Sequence, residues 1–338
     1  MRIASARLRR IGGRLPAAIS NSGASWTTRE GLLLELASKD GAVGLGEASP
    51  LPGYSPDTLE ECEAALAELE HGTLEELDFT GPAGAASSQV RGWLAAHPLP
   101  PAARFAAETA LFALFARRSG RPFAELLGSG PAKTVPLAAL LPTEDPLPAA
   151  RAALARGLTT LKIKIGRPGA FEQELAVLRA LRRELGPEIQ LRLDANGAFP
   201  VSEAAGHLKA LAELRPEYIE EPVPLGQLAA FAALAPPPIP LAADESLRVA
   251  ELRDDLLSAF GRGRIEVAVL KPTVLGGSLA CLDLVAELLP RGARFTVTHA
   301  YEGPVAMAAA LALASVLPGP VLGHGLDRHP ALDALSGA

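Results

Sequence analysis

Five charged residues recur at one spacing. Lys164, Asp194, Glu220, Asp244 and Lys271 follow one another at steps of 30, 26, 24 and 27 residues, each about one strand-plus-helix unit. Each closes or follows a short apolar run. If successive units set their strands side by side in a closed ring, three carboxylates meet at one mouth, with an amine on the strand before and another on the strand after. Three crowded carboxylates do not all stay ionised without a compensating charge. Oxygen ligands with neither thiolate nor His pair favour a hard cation, Mg²⁺ first and Mn²⁺ second. A divalent ion beside two opposed amines suits removal of a proton from the carbon next to a carboxylate. The ion and a lysinium offset the charge of the enediolate, and a neutral lysine takes the proton. Such a base titrates below the usual lysine value of about 10.4, towards ~7–8. Lys162, two residues before Lys164 and on the same face of a strand, promotes that shift.

Only six of the 32 basic residues are lysines, namely Lys39, Lys133, Lys162, Lys164, Lys209 and Lys271; the other 26 are arginines. A guanidinium does not deprotonate in this range, so an amine retained in an apolar, strand-like segment points to chemistry. Lys39, Lys133 and Lys209 read as surface or loop residues, as do His71, His97, His207 and His329. The net charge of −6 and the lack of a Lys/Arg stripe argue against nucleic acid or a polybasic membrane contact, leaving a small-molecule carboxylate as the expected partner. Cys62 and Cys281 stand far apart with no metal-ligand spacing, which excludes a disulfide framework or structural zinc. Residues 1–19 contain no apolar run of signal-peptide length, so a cytoplasmic location is expected. The apolar window Pro304–Gly323 is broken by Ser315, Pro318, Gly319 and Pro320 and reads as a buried helix.

The elements that must position these groups follow from the rhythm. Arg2 to about Asp78 mixes a strand at Gly31–Leu36 with an amphipathic helix at Thr58–Leu69, an α+β unit. Gly81–Ser88 reads as a loosely packed surface segment. A stronger helix, Ala102–Arg118, ends on two arginines before Gly120, which suits its dipole and a left-handed cap. After Val135, short strands alternate with helices at Val135–Leu141, Thr160–Ile165, Ile189–Asp194, Tyr218–Glu221, Leu241–Asp244, Ile265–Lys271, Phe295–His299 and Val321–Gly323. Eight βα repeats predict a parallel barrel; a doubly wound sheet would call for a glycine-rich phosphate loop, and no GxGxxG or Walker motif is present. Residues 1–100, joined by about 320–338, are expected to form the α+β domain, and 101–319 the barrel.

Alternation lets only one of Glu220/Glu221 and one of Asp244/Glu245 face the mouth, and spacing does not choose between them. Any single strand-end acid is more often a cap or a loop ion pair; the repetition on consecutive strands is what favours a site. A glycoside hydrolase using Glu220 and Glu302 explains neither Lys164 nor Lys271, and the only tryptophans, Trp26 and Trp93, precede the barrel. A barrel that binds without catalysing is the remaining alternative.

Thr160-Leu-Lys-Ile-Lys-Ile-Gly, Leu191-Arg-Leu-Asp-Ala-Asn-Gly, Tyr218-Ile-Glu-Glu-Pro, Ala243-Asp-Glu-Ser and Val269-Leu-Lys-Pro resemble, in order and spacing, the strand motifs of the enolase superfamily, muconate-lactonizing-enzyme subgroup. The resemblance implies a modified (β/α)7β TIM-type barrel under an α+β capping domain, with Asp194, Glu220 and Asp244 as Mg²⁺ ligands. Gly44-Leu-Gly-Glu-Ala-Ser-Pro-Leu-Pro-Gly-Tyr-Ser-Pro-Asp-Thr-Leu-Glu-Glu, with Thr28-Arg-Glu-Gly-Leu before it, is similar to o-succinylbenzoate synthases. That likeness implies syn dehydration of a cyclohexadiene carboxylate in menaquinone synthesis. Lys164 would act as base and then acid, Lys271 would lie over the ring, and Lys162 would add positive charge. Trp26, in the mobile loop after the first strand, is then a lid residue in contact with substrate, and Asn196, which alternation puts on the same face as Asp194, is a further expected substrate contact. His299 and Glu302, in Thr298-His-Ala-Tyr-Glu-Gly-Pro, stand where these synthases more often carry a small residue or hydroxyl beside an acid; strand-end packing and substrate contact are the two readings of each. The Asp-x-Asp that dipeptide epimerases use for the substrate ammonium is missing there, while N-succinylamino acid racemisation, which needs the same two lysines, stays open.

Overall fold

The computed structural model describes residues 3–20, 25–71, 83–128, 134–328 and 335. Lys133, His329, the side chain of His71 and most of the chain beyond 328 lie outside them. The chain opens with an antiparallel sheet, β1 (Ile3–Ser20), β2 (Ser25–Ser38) and β3 (Val43–Ala48), in the order β1-β2-β3. Alternation along β2 buries Leu32, Leu34 and Leu36 completely on one face. Four helices follow: α1 (Leu59–His71), α2 (Ala83–Ala96), α3 (Pro101–Ser119) and α4 (Phe123–Leu126). At the start of α1, Thr58 N–H donates to Glu61 Oε2 (2.8 Å) and Glu61 N–H to Thr58 Oγ (3.2 Å), a reciprocal cap. Helix α3 ends at Gly120 in the left-handed conformation, as the sequence predicts, and lies so close to the sheet that a Cβ on Gly44 or Gly46 would collide with the carbonyls of Ala110 and Ala106.

Residues 83–88 are not the loose segment expected of their Gly/Ala/Ser content. They open α2, where small side chains permit close packing: Ala86 is buried and Ser87 Oγ donates to Leu126 O at 2.7 Å.

From β4 onward the alternation is regular: β4 (Ala138–Leu141), α5 (Pro146–Ala155), β5 (Thr160–Lys164), α6 (Phe171–Leu185), β6 (Gln190–Asp194), α7 (Val201–Leu211), β7 (Tyr218–Glu220), α8 (Leu228–Leu234), β8 (Leu241–Ala243), α9 (Arg253–Gly261), β9 (Val267–Leu270), α10 (Pro272–Leu275), α11 (Ser278–Leu288), β10 (Arg294–Val297) and α12 (Pro304–Val316). The seven strands form one curled parallel sheet in sequence order. The short strand expected at Val321–Gly323 is absent. Single parallel bridges one and two residues later, Leu137 to His324 and Thr298 to Gly325, link the two ends of the sheet instead. Gly323 there has no room for a Cβ, which would press on Thr160. The apolar window is the mostly buried α12, and among the described residues no helix is long and apolar enough to cross a membrane.

His324 holds this closure, accepting the Val297 N–H on Nδ1 at 2.9 Å while only 2% exposed. Burial, with Arg192 nearby, pushes its pKa down to about 4. Its stabilising contribution is therefore full above about pH 6.5 and is lost as pH falls towards 4. Between those values the wild type is expected to lose up to about 3 kcal/mol more than His324→Asn, which keeps an acceptor but does not titrate. Denaturant melts at the two pH values read the difference, and equal losses would contradict the assignment.

Candidate active site

Strand register builds the site in two rows. Lys164 pairs with Asp194 and Asp194 with Glu220; one step below, Lys162 pairs with Arg192 and Arg192 with Tyr218. Residues two apart on a strand face the same way, so both rows point into the barrel, the upper one at its carboxyl-terminal mouth. With residues 324–325 in the eighth position, β5 and β9 are four places apart in a ring of eight. Lys164 and Lys271 therefore approach from opposite sides. Both line a cavity of about 980 Å³, counting its open mouth, together with Lys162, Asp194, Asn196 and Glu220.

The charges are densely paired. Lys162 Nζ lies 2.9 Å from Asp194 Oδ2 and also contacts the Glu220 carboxylate. Lys271 Nζ donates to Asp244 and to the Tyr54 hydroxyl, and that hydroxyl lies 3.4 Å from the other Asp244 oxygen. Burial works against a charged Lys162, yet Asp194 and Glu220 outweigh it and hold it protonated; for Lys271 the same contest is decided by Asp244 and Glu245. Lys164 differs. Burial lowers its pKa, Lys162 and Lys271 push the same way, and only part of this is offset by Asp194. Among the three lysines it is the one poised to lose its proton. Glu220 is pushed up by burial and by Asp194 and Asp244, against the pull of Lys162, so the upper row is short of positive charge.

The two acidic pairs separate cleanly. Glu220 faces the cavity, whereas Glu221 takes a left-handed φ of 36° and turns away. Its carboxylate accepts Asp244 N–H (2.9 Å), Ser246 N–H (2.8 Å) and Ser246 Oγ–H (3.0 Å), fixing the turn that carries Asp244. Asp244 meets Lys271, while Glu245 accepts Asn196 Nδ2–H at 3.2 Å.

Two expected contacts need correction. Trp26 lines the cavity, but from within β2 and not from a loop: its indole N–H donates to Pro52 O at 3.0 Å and its ring packs with Leu51 and Tyr54, so it is fixed. Glu302 does not face the cavity. It is 3% exposed and accepts the Ala300 N–H on Oε2, and burial raises its pKa against the opposing pull of Thr273 and, behind the wall, Arg29. His299 does line the cavity, with Nδ1 accepting the Tyr301 N–H at 3.1 Å.

Tyr301, at the end of the seventh strand, lines the cavity beside His299, and so do Tyr54 and Arg192, which the sequence does not mark as site residues. The Tyr54 ring lies 4.6 Å under Lys271 Nζ and 5.1 Å from the Arg248 guanidinium, a link that crosses the chain and has no local signal. Arg192 did have one: it stands two residues before Asp194, hence on the same face. It is 2% exposed, donates to Glu217 and Gly323 O, and leaves Nη2 buried without a partner among the described residues.

Asp194, Glu220 and Asp244 fit a hard divalent ion in donor chemistry. All are nearly fully buried, all offer oxygen, and the ammonium of Lys162 already stands between two of them as a cation. Among the described residues no three acids, histidines or cysteines converge as a ready-made metal centre; Asp194 and Glu220 are paired with Lys162, and Asp244 with Lys271.

Comparison with known proteins places this geometry. The family described as enolase C-terminal domain-like matches residues 147–335, and the MenC N-terminal domain matches residues 17–80. The o-succinylbenzoate synthase of Desulfotalea psychrophila is 31% identical over 312 residues, covering 85% of this chain and 83% of that protein. The o-succinylbenzoate synthase of Thermobifida fusca is 37% identical over 187 residues, 55% of this chain and 56% of the relative. Among solved structures, the dipeptide epimerase of Methylococcus capsulatus complexed with Mg and the dipeptide L-Arg-D-Lys aligns with a TM-score of 0.80 at 28% identity, covering 94% of this chain and 88% of the other. The barrel, its cap and the matched segments agree, and the chain belongs to the enolase superfamily.

Proposed function

We propose that the protein is an o-succinylbenzoate synthase, a hydro-lyase that forms the aromatic ring by syn loss of water from a succinyl-substituted cyclohexadiene carboxylate, a step of menaquinone synthesis. The match of residues 17–80 and the synthase relatives support the substrate class. The observation that carries the chemistry is the opposition of Lys164 and Lys271 across a cavity edged by Asp194 and Glu220. Lys164, held below the usual lysine value, takes the α-proton on Nζ. The C–O bond to the departing hydroxyl then breaks on the same face. The proton on Lys164 passes to it, and water leaves. Lys271 remains protonated and lies over the ring, a cation–π contact, and Lys162 adds positive charge beside the carboxylates. Mg²⁺, or Mn²⁺ in its place, held by Asp194, Glu220 and Asp244, would supply positive charge against the charge that develops on the substrate carboxylate. Asn196, Trp26 and His299 shape the remaining wall.

The buried, partnerless Nη2 of Arg192 suits the second carboxylate, that of the succinyl arm. This group is remote from the reacting carbon, so Arg192→Met is expected to raise KM by roughly 10- to 100-fold with a smaller effect on kcat. Steady-state kinetics read the split; an equal fall of kcat and kcat/KM would contradict the role.

Two lysines on opposite faces of one carbon also serve racemisation, so N-succinylamino acid racemase is the second reading. The two are told apart by measuring, on one preparation with Mg²⁺, dehydration of the cyclohexadiene substrate and solvent-deuterium exchange of N-succinylamino acids. Faster dehydration is expected, and an exchange that outpaces it overturns the synthase assignment.

A further inference from the structure

The cavity wall opposite the carboxylates comes from two distant segments. Leu51 and Tyr54 contribute from the capping domain, and His299, Ala300 and Tyr301 from the segment after β10. One side chain joins them. Arg29, on β2 and 1% exposed, donates Nη1–H to Pro50 O at 3.0 Å and Nη2–H to Ser49 O at 2.8 Å, just before Leu51. Its Nε–H reaches Tyr301 O at 3.0 Å, 272 residues away, and Nη2 lies 3.5 Å from Ala300 O. Two buried carboxylates, Glu302 and Glu47, offset part of the cost of burying its charge and grip the same segment. Glu302 accepts the Ala300 N–H, and Glu47 accepts the N–H groups of Gly303 and Ala306. Tyr301 has a left-handed φ of 62°, a conformation that a non-glycine residue keeps only when its surroundings hold it. Arg29, Glu47 and Glu302 are not among the residues that line the cavity, whereas the segments they hold are.

We infer that Arg29 is a positioning residue that sets the substrate-facing wall, by locking the Leu51 and Tyr301 segments to each other through their carbonyl groups. A planar fork spreads five donors over three nitrogens and so reaches carbonyls of two separate segments at once, whereas the three donors of an ammonium radiate from a single atom at the end of a flexible stem. The inference rests on the synthase reading only for its kinetic arm.

The test uses the full chain, as wild type, Arg29→Lys and Arg29→Met, with hydrogen–deuterium exchange and kinetics measured side by side. Arg29→Lys keeps a charge facing Glu302 and Glu47 and so decides the matter if Arg29→Met does not fold. Expected for Arg29→Lys are a melting temperature near that of the wild type and exchange at residues 49–54 and 299–303 faster by about 10-fold or more. KM for the cyclohexadiene substrate should rise by about 10-fold while kcat stays within about threefold, as for loss of uniform binding. Unchanged exchange in both segments overturns the inference. So does exchange that rises equally throughout β1–β3, which would make Arg29 an ordinary core residue, and so does faster exchange with an unaltered KM. If wild-type protein fails to dehydrate the substrate, the synthase reading falls and the exchange measurements alone decide the role of Arg29.

Discussion

Lys164→Ala is expected to lower kcat for dehydration by about 10⁴-fold, the upper end of what a positioned base contributes, because in the proposed reaction the same amine takes the α-proton and returns it to the leaving hydroxyl. Mg²⁺ affinity, measured by calorimetry, should change by no more than about threefold, since the variant keeps all three carboxylates and the pairing of Asp194 and Glu220 with Lys162. The two lysines of the pair thus have separable effects. Removing Lys162 takes away the ammonium paired with Asp194 and Glu220, a positive charge that opposes a second cation, so Lys162→Met should bind Mg²⁺ no more weakly than wild type. Lys164→Arg is expected to be as inactive as the alanine variant, because a guanidinium keeps its proton throughout the working range. Turnover by Lys164→Ala within about tenfold of wild type would remove Lys164 from the role of base.

The second large effect belongs to Glu220. Its carboxylate is almost wholly buried beside Asp194, and both burial and its acidic neighbours raise its pKa, so it gains more from a divalent cation than an exposed acid does. Glu220→Gln keeps the shape and leaves Lys162 paired with Asp194, which preserves the fold. Mg²⁺ affinity should nevertheless fall by at least about 100-fold, more than the loss of an outer contact to a metal ligand costs, and kcat by roughly 10²- to 10³-fold. Calorimetry with Mg²⁺ alone checks the first value. Unaltered affinity would mean that Glu220 is a partner of Lys162 and not a metal ligand. Glu221→Gln makes the control: its carboxylate accepts Asp244 N–H and Ser246 N–H, so it acts only by orienting Asp244 and should weaken Mg²⁺ binding less than Glu220→Gln does.

How much of this was legible in the sequence follows from the range of the interactions involved. The recurrence of Lys164, Asp194, Glu220, Asp244 and Lys271 is set by the length of a βα unit, so spacing alone places them at one mouth of a barrel. Alternation puts Lys162 beneath Lys164 and, equally, Arg192 beneath Asp194. Choosing Glu220 over Glu221 was beyond that rule, because a left-handed φ at the strand end sends Glu221 to the next turn. Residues fixed by distant partners left no local trace. Trp26 reads as a loop residue, yet it belongs to a strand whose pairing with β1 resumes after an irregularity between Arg14 and Ile19. Glu302 reads as a mouth residue because it follows β10, yet it is buried behind the wall and accepts the Ala300 N–H of its own segment. Tyr54 reaches Lys271 across 217 residues, and only the folded chain brings them together.

The central claim is that this cavity turns a cyclohexadiene carboxylate into an aromatic product with a divalent ion and a lysine base. The most direct measurement follows loss of the cyclohexadiene absorbance with purified protein, before and after removal of divalent metal by a chelator and after restoring Mg²⁺. Turnover with o-succinylbenzoate as product, loss of turnover on chelation and recovery on adding Mg²⁺ are expected. No conversion with Mg²⁺ present, or conversion that persists without any divalent metal, would contradict it.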